Sequence, residues 1–332
     1  MTTHLEREIR EQPDVAARLL DRLLPQVADL RAHLTSRGAE QVYLVARGSS
    51  DNAARYAQYL WPVRAGVTVT LATPSLATVY GVPPDLRRQA VVAVSQSGRS
   101  PDVVAVVEQA RDAGRPTLAV TNDPASPLAE AADVVVDLGA GAERSVAATK
   151  TYTSSLLALA VLGVALGDAA GGDDLRKVPD ALAAAVTGTT GTEESAAVLQ
   201  RADRAVAVGR GLNLATAHET ALKVTELTGT LVVPWSPADL MHGPVAAVGP
   251  HVPALLVVPD EPATASVLDA EPELRRRGAP VVLLGRDGPE LPGWLSPVTA
   301  IVPGQLLAWR LAELRGVDVD HPGDLSKVTL TR

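Results

Sequence analysis

Cysteine and phenylalanine are absent from this sequence, and aromatic residues of any kind are scarce. Without cysteine the chain has no disulfides, no thiolate nucleophile and no zinc site with cysteine ligands. Because aromatic residues make up only 3% of the chain, its core has to be built from Ala, Val and Leu. Such a core fits layered α/β packing better than a β-sandwich.

The motifs of common cofactor and metal sites are also missing. There is no Gly-x-x-x-x-Gly-Lys-Ser/Thr loop, and Gly209-Arg210-Gly211 lacks the third glycine of a dinucleotide fingerprint. The six histidines of the sequence show no metal-ligand spacing among themselves or with carboxylates. We therefore expect neither a metal ion nor a cofactor.

Charge and hydropathy argue against two further kinds of partner. The formal net charge is −8 and no block of Lys and Arg stands out, which argues against nucleic acid. The chain opens without the apolar segment of a signal peptide. Its longest apolar run, 156–167, is shorter than the about 18 residues that a membrane span needs. We expect a cytoplasmic protein that binds no membrane.

Strands and helices alternate along the chain of 332 residues. Leucines at helical spacing predict helix over 6–34, interrupted near Pro13 and Pro25. The predicted strands are 41–46, 67–71, 90–94, 117–121, 134–138, 205–208, 253–258, 280–284 and 299–301. The predicted later helices are 146–166, 175–186, 214–227, 266–277 and 303–315. This alternation is typical of doubly wound parallel sheets.

The two halves of the chain open alike. In 42–48 an apolar run leads into Arg47-Gly48, and in 205–211 a similar run leads into Gly209-Arg210-Gly211. We predict an α/β fold of two tandem modules, 37–168 and 195–317, each a doubly wound parallel sheet flanked by helices. The remaining parts are predicted as an N-terminal helical segment (1–36), a linker (169–194) and a tail outside both sheets (318–332).

Three segments rich in hydroxyl groups follow predicted strands or precede predicted helices. The clearest is Ser95-Gln96-Ser97-Gly98-Arg99-Ser100, which leads into a helix with Ser100 as its N-cap and Pro101 in its first turn. The others are 47–52 and 143–150. Backbone N–H groups and the positive end of a helix dipole favour an anion in such turns. Unless each segment only caps a helix, the three predict a pocket for a phosphate or a polyol.

The second half carries residues suited to proton transfer. Glu219, Lys223 and Glu226 fall at i, i+4 and i+7 and share one face of a predicted helix. On a surface this spacing gives ordinary ion pairs, but the helix follows a turn where a ligand would sit, and a partly desolvated carboxylate beside a lysine can act as a general base. His242, followed by a Gly-Pro turn, is a further candidate. Lys327 lies in an apolar-patterned tail that we expect to pack on the body.

Taken in order, these segments resemble the sugar isomerase (SIS) family over essentially the whole chain. The similarity is to the isomerase half of glucosamine-6-phosphate synthase and to its free-standing relatives. The motifs that carry it are Arg47-Gly48-Ser49-Ser50, Ser95-Gln96-Ser97-Gly98, Val146-Ala147-Ala148-Thr149-Lys150, Gly209-Arg210-Gly211, Glu219…Lys223…Glu226, His242-Gly243-Pro244 and Leu325-Ser326-Lys327. The resemblance implies two SIS modules in one subunit, and a homodimer with shared active sites.

The resemblance also implies a role for each matching residue. Glu226 would move a proton between C1 and C2 of an open-chain sugar, supported by Lys223 and Glu219. Lys327 would approach the C2 carbonyl, where it can form an imine. His242 of the neighbouring subunit would assist ring opening. The residues that would bind the phosphorylated amino sugar are Gly48, Ser49, Ser50, Ser95, Gln96, Ser97, Ser100, Val146, Ala148 and Ser326.

Departures from the synthase pattern indicate the subtype. Arg99 and Ser100 stand where the synthase has Glu-Thr, and Ala148 stands where it has serine; both resemble the free-standing, isomerising glucosamine-6-phosphate deaminases. We expect no glutaminase activity, because the sequence starts at the isomerase half and has no cysteine nucleophile. The expected reaction converts glucosamine 6-phosphate to fructose 6-phosphate and ammonia.

Two other functions stay open at this point. A deglycase would release an amine or an amino acid from a fructosamine-type 6-phosphate by the same enediol chemistry. A non-catalytic sugar-phosphate sensor would lack the acid–base residues and carry a DNA-binding segment. Glu226, His242 and Lys327 are all present, and 6–34 mixes acidic and basic residues, which argues against the sensor.

Overall fold

The apolar runs of the sequence form two parallel sheets, accompanied by helices, in the computed structural model, which confirms the predicted α/β class. Its described residues are 2–167, 171–188, 191–320 and 327. They divide into two units. The first unit contains residues 15–142, 151–167 and 171–176, and the second unit contains residues 2–14, 143–150, 177–188, 191–320 and 327.

The secondary structure elements are numbered in chain order. The strands are β1 (Gln41–Ala46), β2 (Val69–Leu71), β3 (Gln89–Val94), β4 (Thr117–Thr121), β5 (Val134–Asp137), β6 (Arg204–Val208), β7 (Leu231–Trp235), β8 (Ala254–Val257) and β9 (Val281–Leu284). The helices are α1 (His4–Arg10), α2 (Gln12–Leu23), α3 (Val27–Leu34), α4 (Ser49–Ala65), α5 (Ser75–Thr78), α6 (Pro101–Asp112), α7 (Pro127–Ala131), α8 (Lys150–Leu166), α9 (Gly171–Leu175), α10 (Val178–Thr187), α11 (Thr192–Leu199), α12 (Leu214–Thr228), α13 (Pro237–Met241), α14 (Thr264–Leu268), α15 (Glu271–Arg276) and α16 (Ser296–Leu314).

The sheet of the first unit has the strand order β2-β1-β3-β4-β5, with all neighbouring strands parallel. The β1–β3 register runs from Gln41 opposite Gln89 to Ala46 opposite Val94, so both strands end at the same edge. Beyond their first residues both strands are buried, as in parallel sheets covered on both faces. Since the strand order reverses between β1 and β3, a ligand crevice is expected at their carboxyl ends.

The sheet of the second unit repeats this topology with one strand fewer. Its order is β7-β6-β8-β9, again parallel between all neighbours. Strand β6 therefore corresponds to β1, and β8 corresponds to β3. The similar segments 42–48 and 205–211 thus cover most of the equivalent strands β1 and β6 and the start of the turn after each.

Two parts of the second unit differ from the sequence-based expectation. The apolar pattern does not predict β7, which lies at the sheet edge, contains Pro234 and leaves Leu231 61% exposed; proline is tolerated in edge strands. The prediction of a strand at 299–301 is wrong, because these residues lie within α16. That helix is buried without a break from Ser296 to Val302, and a short apolar run in a buried helix has the same pattern as a buried strand.

Several predicted helices form with changed bounds. Segment 6–34 is divided into α1, α2 and α3, with breaks near Pro13 and Pro25 as predicted. Segment 175–186 divides between α9 and α10, and 266–277 divides between α14 and α15. Helix α8 begins only at Lys150, and α16 begins seven residues before the predicted start and continues through Pro303.

The N-terminal helix α1 is part of the second unit. The Asp320 carboxylate accepts hydrogen bonds from the backbone N–H of His4 at 2.9 Å and of Leu5 at 3.2 Å.

Helices α12 and α16 pack so closely that a Cβ added to Gly304 would lie 2.4 Å from Thr220 Oγ1. These contacts fix the helix that carries the predicted proton-transfer residues. None of the helices in the described ranges combines the length and the hydropathy needed to cross a membrane.

Candidate active site

The loops after β1 and β3 of the first unit, 47–52 and 95–100, are called the hydroxyl loops below. Each leads directly into a helix, α4 or α6. Gly48 has φ 55° and precedes α4, and Ser49 and Ser50 are the first residues of that helix. Serine hydroxyls therefore lie at the start of α4, whereas α6 begins with Pro101, which has no N–H, and the N–H of Val103 donates to Asp102 Oδ1.

The loop 95–100 is held in shape by its own polar groups. The Ser95 hydroxyl accepts a hydrogen bond from Gly98 N at 3.1 Å, and Ser97 Oγ accepts one from Arg99 N at 3.4 Å. A Cβ on Gly98, whose φ is 62°, would lie 2.0 Å from Ser126 Oγ, so this turn requires glycine. Ser100 is the N-cap residue of α6, as predicted, and among the described residues its side chain makes no capping hydrogen bond.

An ion pair that the sequence analysis does not identify joins the two hydroxyl loops. The Arg47 guanidinium contacts Asp102, with Nε 2.7 Å from Oδ2. Asp102 is buried in the first turn of α6, while Arg47 is about half exposed. The helix dipole is sufficient reason for an acidic residue in a first helical turn, so the sequence does not suggest a partner for Asp102. The pairing with Arg47 is revealed only by the structure, in which β1 and β3 lie side by side.

In the second unit, the predicted face of α12 is buried rather than exposed. Lys223 Nζ lies 2.5 Å from Glu226 Oε2 and 3.4 Å from Glu219 Oε1. The Lys223 side chain is 1% exposed and that of Glu219 is fully buried, whereas Glu226 is 28% exposed. One carboxylate of the group can therefore reach a ligand while the lysine behind it stays out of water.

The charges around Lys223 decide its protonation state. Burial alone would lower the pKa of Lys223, but the negative charges of Glu219, Glu226 and Glu143 and the hydrogen bond to Glu226 outweigh burial, so this pKa is raised above its ordinary value. Lys223 is therefore a buried ammonium surrounded by carboxylates.

Glu143 and Lys327 complete the group, called the lysine–glutamate cluster below: Glu143, Glu219, Lys223, Glu226 and Lys327. The buried Glu143 side chain has Oε2 2.8 Å from Lys327 Nζ, and Lys327 also donates to the carbonyl oxygen of Ser145 at 2.7 Å. Glu143 is not among the sequence-based candidates, because its segment was selected for hydroxyl groups and basic residues rather than for a carboxylate.

The segment 143–150 therefore differs from the two hydroxyl loops. It belongs to the second unit, and its hydroxyl group at Ser145 is buried 2.5 Å from the Glu8 carboxylate of α1. Lys150 Nζ pairs with Glu11 at 2.6 Å. The predicted binding residues Val146 and Ala148 of this segment are half-buried, and so remain accessible.

One predicted site residue, His242, is not joined to these groups, and another lies outside the described residues. His242 follows the last residue of α13 and its side chain is exposed; in the part of the chain that the structure describes, no hydrogen bond or ion pair joins it to the lysine–glutamate cluster. Gly243, with φ 141°, forms the turn that leaves the imidazole at the surface. Ser326 lies outside the described residues.

Comparison with known proteins identifies the family. The SIS domain family matches residues 37–165 and 198–286, so the chain belongs to the SIS family and carries two SIS segments. A candidate phosphosugar isomerase of known structure from Silicibacter pomeroyi is 34% identical, with a TM-score of 0.87, over 96% of this chain and 99% of that one.

Two further comparisons are with a curated aminotransferase and with a solved deaminase structure. The glutamine–fructose-6-phosphate aminotransferase of Symbiobacterium thermophilum is 32% identical over 97% of this chain, which spans only 58% of that relative's length. The fold is also that of glucosamine-6-phosphate deaminase from Thermotoga maritima, with a TM-score of 0.80 and 20% identity over 99% of this chain and 100% of that one.

Replacing Lys223 by methionine tests whether its charge stabilises the second unit. We expect Lys223→Met to lower the free energy of unfolding by about 3–5 kcal/mol, because Glu219 would stay buried without its counter-charge. Glu219→Gln added to this variant should recover part of the loss. Urea unfolding of the three proteins measures both effects, and a Lys223→Met protein as stable as wild type would contradict the expectation.

The stability difference between wild type and Lys223→Met also has a defined pH dependence. The raised pKa of Lys223 means that its stabilising contribution is complete below the ordinary value of 10.5 and is lost as the pH rises through the higher folded-state value. The stability difference between wild type and Lys223→Met should therefore be constant from neutral pH upward and decrease only in strongly alkaline solution.

Proposed function

We propose that this SIS protein is a phosphosugar isomerase that converts glucosamine 6-phosphate and water to fructose 6-phosphate and ammonia. The observation that carries the proposal is the pairing of Glu226, partly exposed, with the fully buried ammonium of Lys223 at 2.5 Å. Relatives named as an aminotransferase of fructose 6-phosphate and as a candidate phosphosugar isomerase support the substrate class.

In the proposed reaction, Glu226 is the base of the proton transfer. It removes the proton from C2 of the open-chain amino sugar and returns it to C1, which leaves an imine at C2. Water adds to this imine and ammonia leaves, so that a ketone remains at C2. The contact with Lys223 Nζ at 2.5 Å orients the Glu226 carboxylate for this transfer, and Lys327 acts at C2.

The hydroxyl loops supply donors for the phosphate and the sugar hydroxyls. The residues assigned to this role are Gly48, Ser49, Ser50, Ser95, Gln96, Ser97 and Ser100, and Arg47 is added to them on its position beside Gly48. Backbone N–H groups at the starts of α4 and α6 favour an anion without requiring a positively charged surface. Val146 and Ala148 are proposed to line the site, and Ser326 keeps its predicted role as an assignment from family resemblance.

His242 is assigned to ring opening within a homodimer, in which each active site takes this residue from the neighbouring subunit. Two features support the assignment. The imidazole is exposed on a turn of its own subunit. The nearby edge strand β7 also leaves Leu231 and Val233 exposed, as expected of a surface that another chain covers.

A panel of phosphosugars tests the proposed reaction. Ammonia release and ketose formation are measured with glucosamine 6-phosphate, galactosamine 6-phosphate, N-acetylglucosamine 6-phosphate and a fructosamine-type 6-phosphate. Turnover of a free amino sugar supports the proposal. Release of amine from the fructosamine substrate alone would identify a deglycase, and binding of all four without turnover would identify a sensor.

Glu226→Gln is the sharpest test of the base. We expect kcat to fall about 10²–10⁴-fold with little change in KM, because the transition state alone requires the base. In D₂O the wild-type enzyme should place deuterium at C1 of fructose 6-phosphate, and the variant should do so at the reduced rate. Glu194→Gln, at an exposed position of α11, is the control; a Glu226→Gln protein that labels C1 at the wild-type rate would exclude this residue as the base.

Ser97→Ala tests the hydroxyl loop after β3. A phosphate contact exists equally in the ground state and the transition state, so KM should rise while kcat changes little. The lost hydrogen bond to a charged group corresponds to about 1.5–3 kcal/mol. Ser36→Ala, which precedes β1 at the opposite end of the sheet, is the matched control. An unchanged KM together with unchanged affinity for inorganic phosphate would remove Ser97 from the anion site.

Mixed dimers test the shared active site. Glu226→Gln and His242→Ala subunits should each be nearly inactive alone. After exchange of subunits, the mixture should regain part of the activity, because one site of each mixed dimer then has both residues. Mass spectrometry of the intact dimers confirms the exchange. Confirmed exchange without regained activity would show that both residues act in the same subunit.

A further inference from the structure

The contacts of Lys327 point to Glu143, a residue to which the proposed reaction assigns no role. Its Nζ donates to Glu143 Oε2 at 2.8 Å and to the carbonyl oxygen of Ser145 at 2.7 Å. An ammonium has three N–H donors and no acceptor. The described residues thus provide acceptors for two of them, which directs the third away from Glu143 and Ser145.

Glu143 is more deeply buried than Lys327, the lysine with which it pairs. Its side chain is fully buried, whereas Lys327 is 24% exposed. The other carboxylate oxygen, Oε1, accepts a hydrogen bond from Thr149 N at 3.0 Å. One oxygen is therefore fixed by the backbone of the segment that leads into α8, and the second oxygen is presented to the lysine.

The negative charge of Glu143 reaches both lysines of the cluster. It pairs directly with Lys327, and it is one of the charges that act on Lys223. The segment that carries Glu143 is in turn held by α1, since the Glu8 carboxylate accepts a hydrogen bond from Ser145 N at 3.1 Å. The segment that provides both acceptors of Lys327 is thus itself held by α1.

We propose that Glu143 is a positioning residue, which holds the Lys327 amine in place at C2 of the bound sugar. The inference deepens the proposed function and rests on it for the identity of the substrate. In this role Glu143 contacts neither the sugar nor the proton that is transferred. Its hydrogen bond to Lys327 is direct, whereas its charge is the smallest of the causes acting on Lys223, so its loss should act chiefly through Lys327.

Glu143→Gln removes the charge and keeps the shape. The amide oxygen can still accept from Thr149 N, but the amide NH₂ donates and cannot bind an ammonium. We expect kcat to fall about 10²-fold because the amine is no longer held at the reacting carbon, while KM changes little. A kcat equal to that of wild type would overturn the proposal.

A double-mutant cycle separates positioning from simple support of the loop. In a Lys327→Met background, Glu143→Gln should cause little further loss of turnover, since it acts chiefly through that lysine. Glu8→Gln is the control: it weakens the same segment without touching Lys327, so its effect should multiply with that of Lys327→Met. If Glu143→Gln also multiplies, its role is structural and the proposal fails.

A measurement without any sugar distinguishes failure of this inference from failure of the proposed function. The rate at which acetic anhydride modifies Lys327 is followed by mass spectrometry, with the exposed Lys177 as internal reference. Release from Glu143 should make Lys327 react several-fold faster in Glu143→Gln but not in Glu8→Gln. An unchanged rate overturns the inference, whereas a faster rate in a protein that turns over no amino sugar overturns only the proposed reaction.

Discussion

The ammonium of Lys223, buried on α12, is the constraint on which the second unit depends. A charge out of water is tolerated only when opposite charges surround it, and here Glu219 and Glu226 come from its own helix while the charge of Glu143 comes from the segment before α8. That segment is in turn fixed by Glu8 of α1 and by Glu11, the residue that follows this helix. A single buried lysine therefore ties distant parts of the sequence to one helix, and leaves one carboxylate, Glu226, partly exposed for chemistry.

The first unit carries mostly neutral polar groups at the ends of β1 and β3. A protein of net charge −8 does not attract an anion by its overall field, so the proposed phosphate site would depend on local donors. The serine hydroxyls and the helix N-termini after these strands are the groups proposed for that role. Two arginines belong to these loops: Arg47, which the buried Asp102 fixes in place, and Arg99, which pairs with Asp123. The positive charges of both loops are thus paired with carboxylates.

The duplicated topology explains why two such different sites arise on similar modules. Both sheets place their first and third strands side by side, in the orders β2-β1-β3 and β7-β6-β8. Only the first module has serine-rich turns at these strand ends. In the second module the corresponding turn is followed by Asn213, which is buried and bonded to Glu261 and Ser296. The fold supplies equivalent positions, and the side chains decide which of them stays open to a ligand.

The sequence by itself determined the class of the fold, most strands, and the helical face of Glu219, Lys223 and Glu226, because periodicity and turn residues act between near neighbours. It did not reveal β7, whose proline and exposed residues break the apolar pattern, and it suggested a strand inside α16, because a buried helix and a buried strand share that pattern. Only the tertiary structure decided that α12 is buried, that Arg47 meets Asp102, and that Glu143 holds Lys327. Residues 184 positions apart in the chain are brought together by the packing of a whole unit, and no local spacing encodes such a contact.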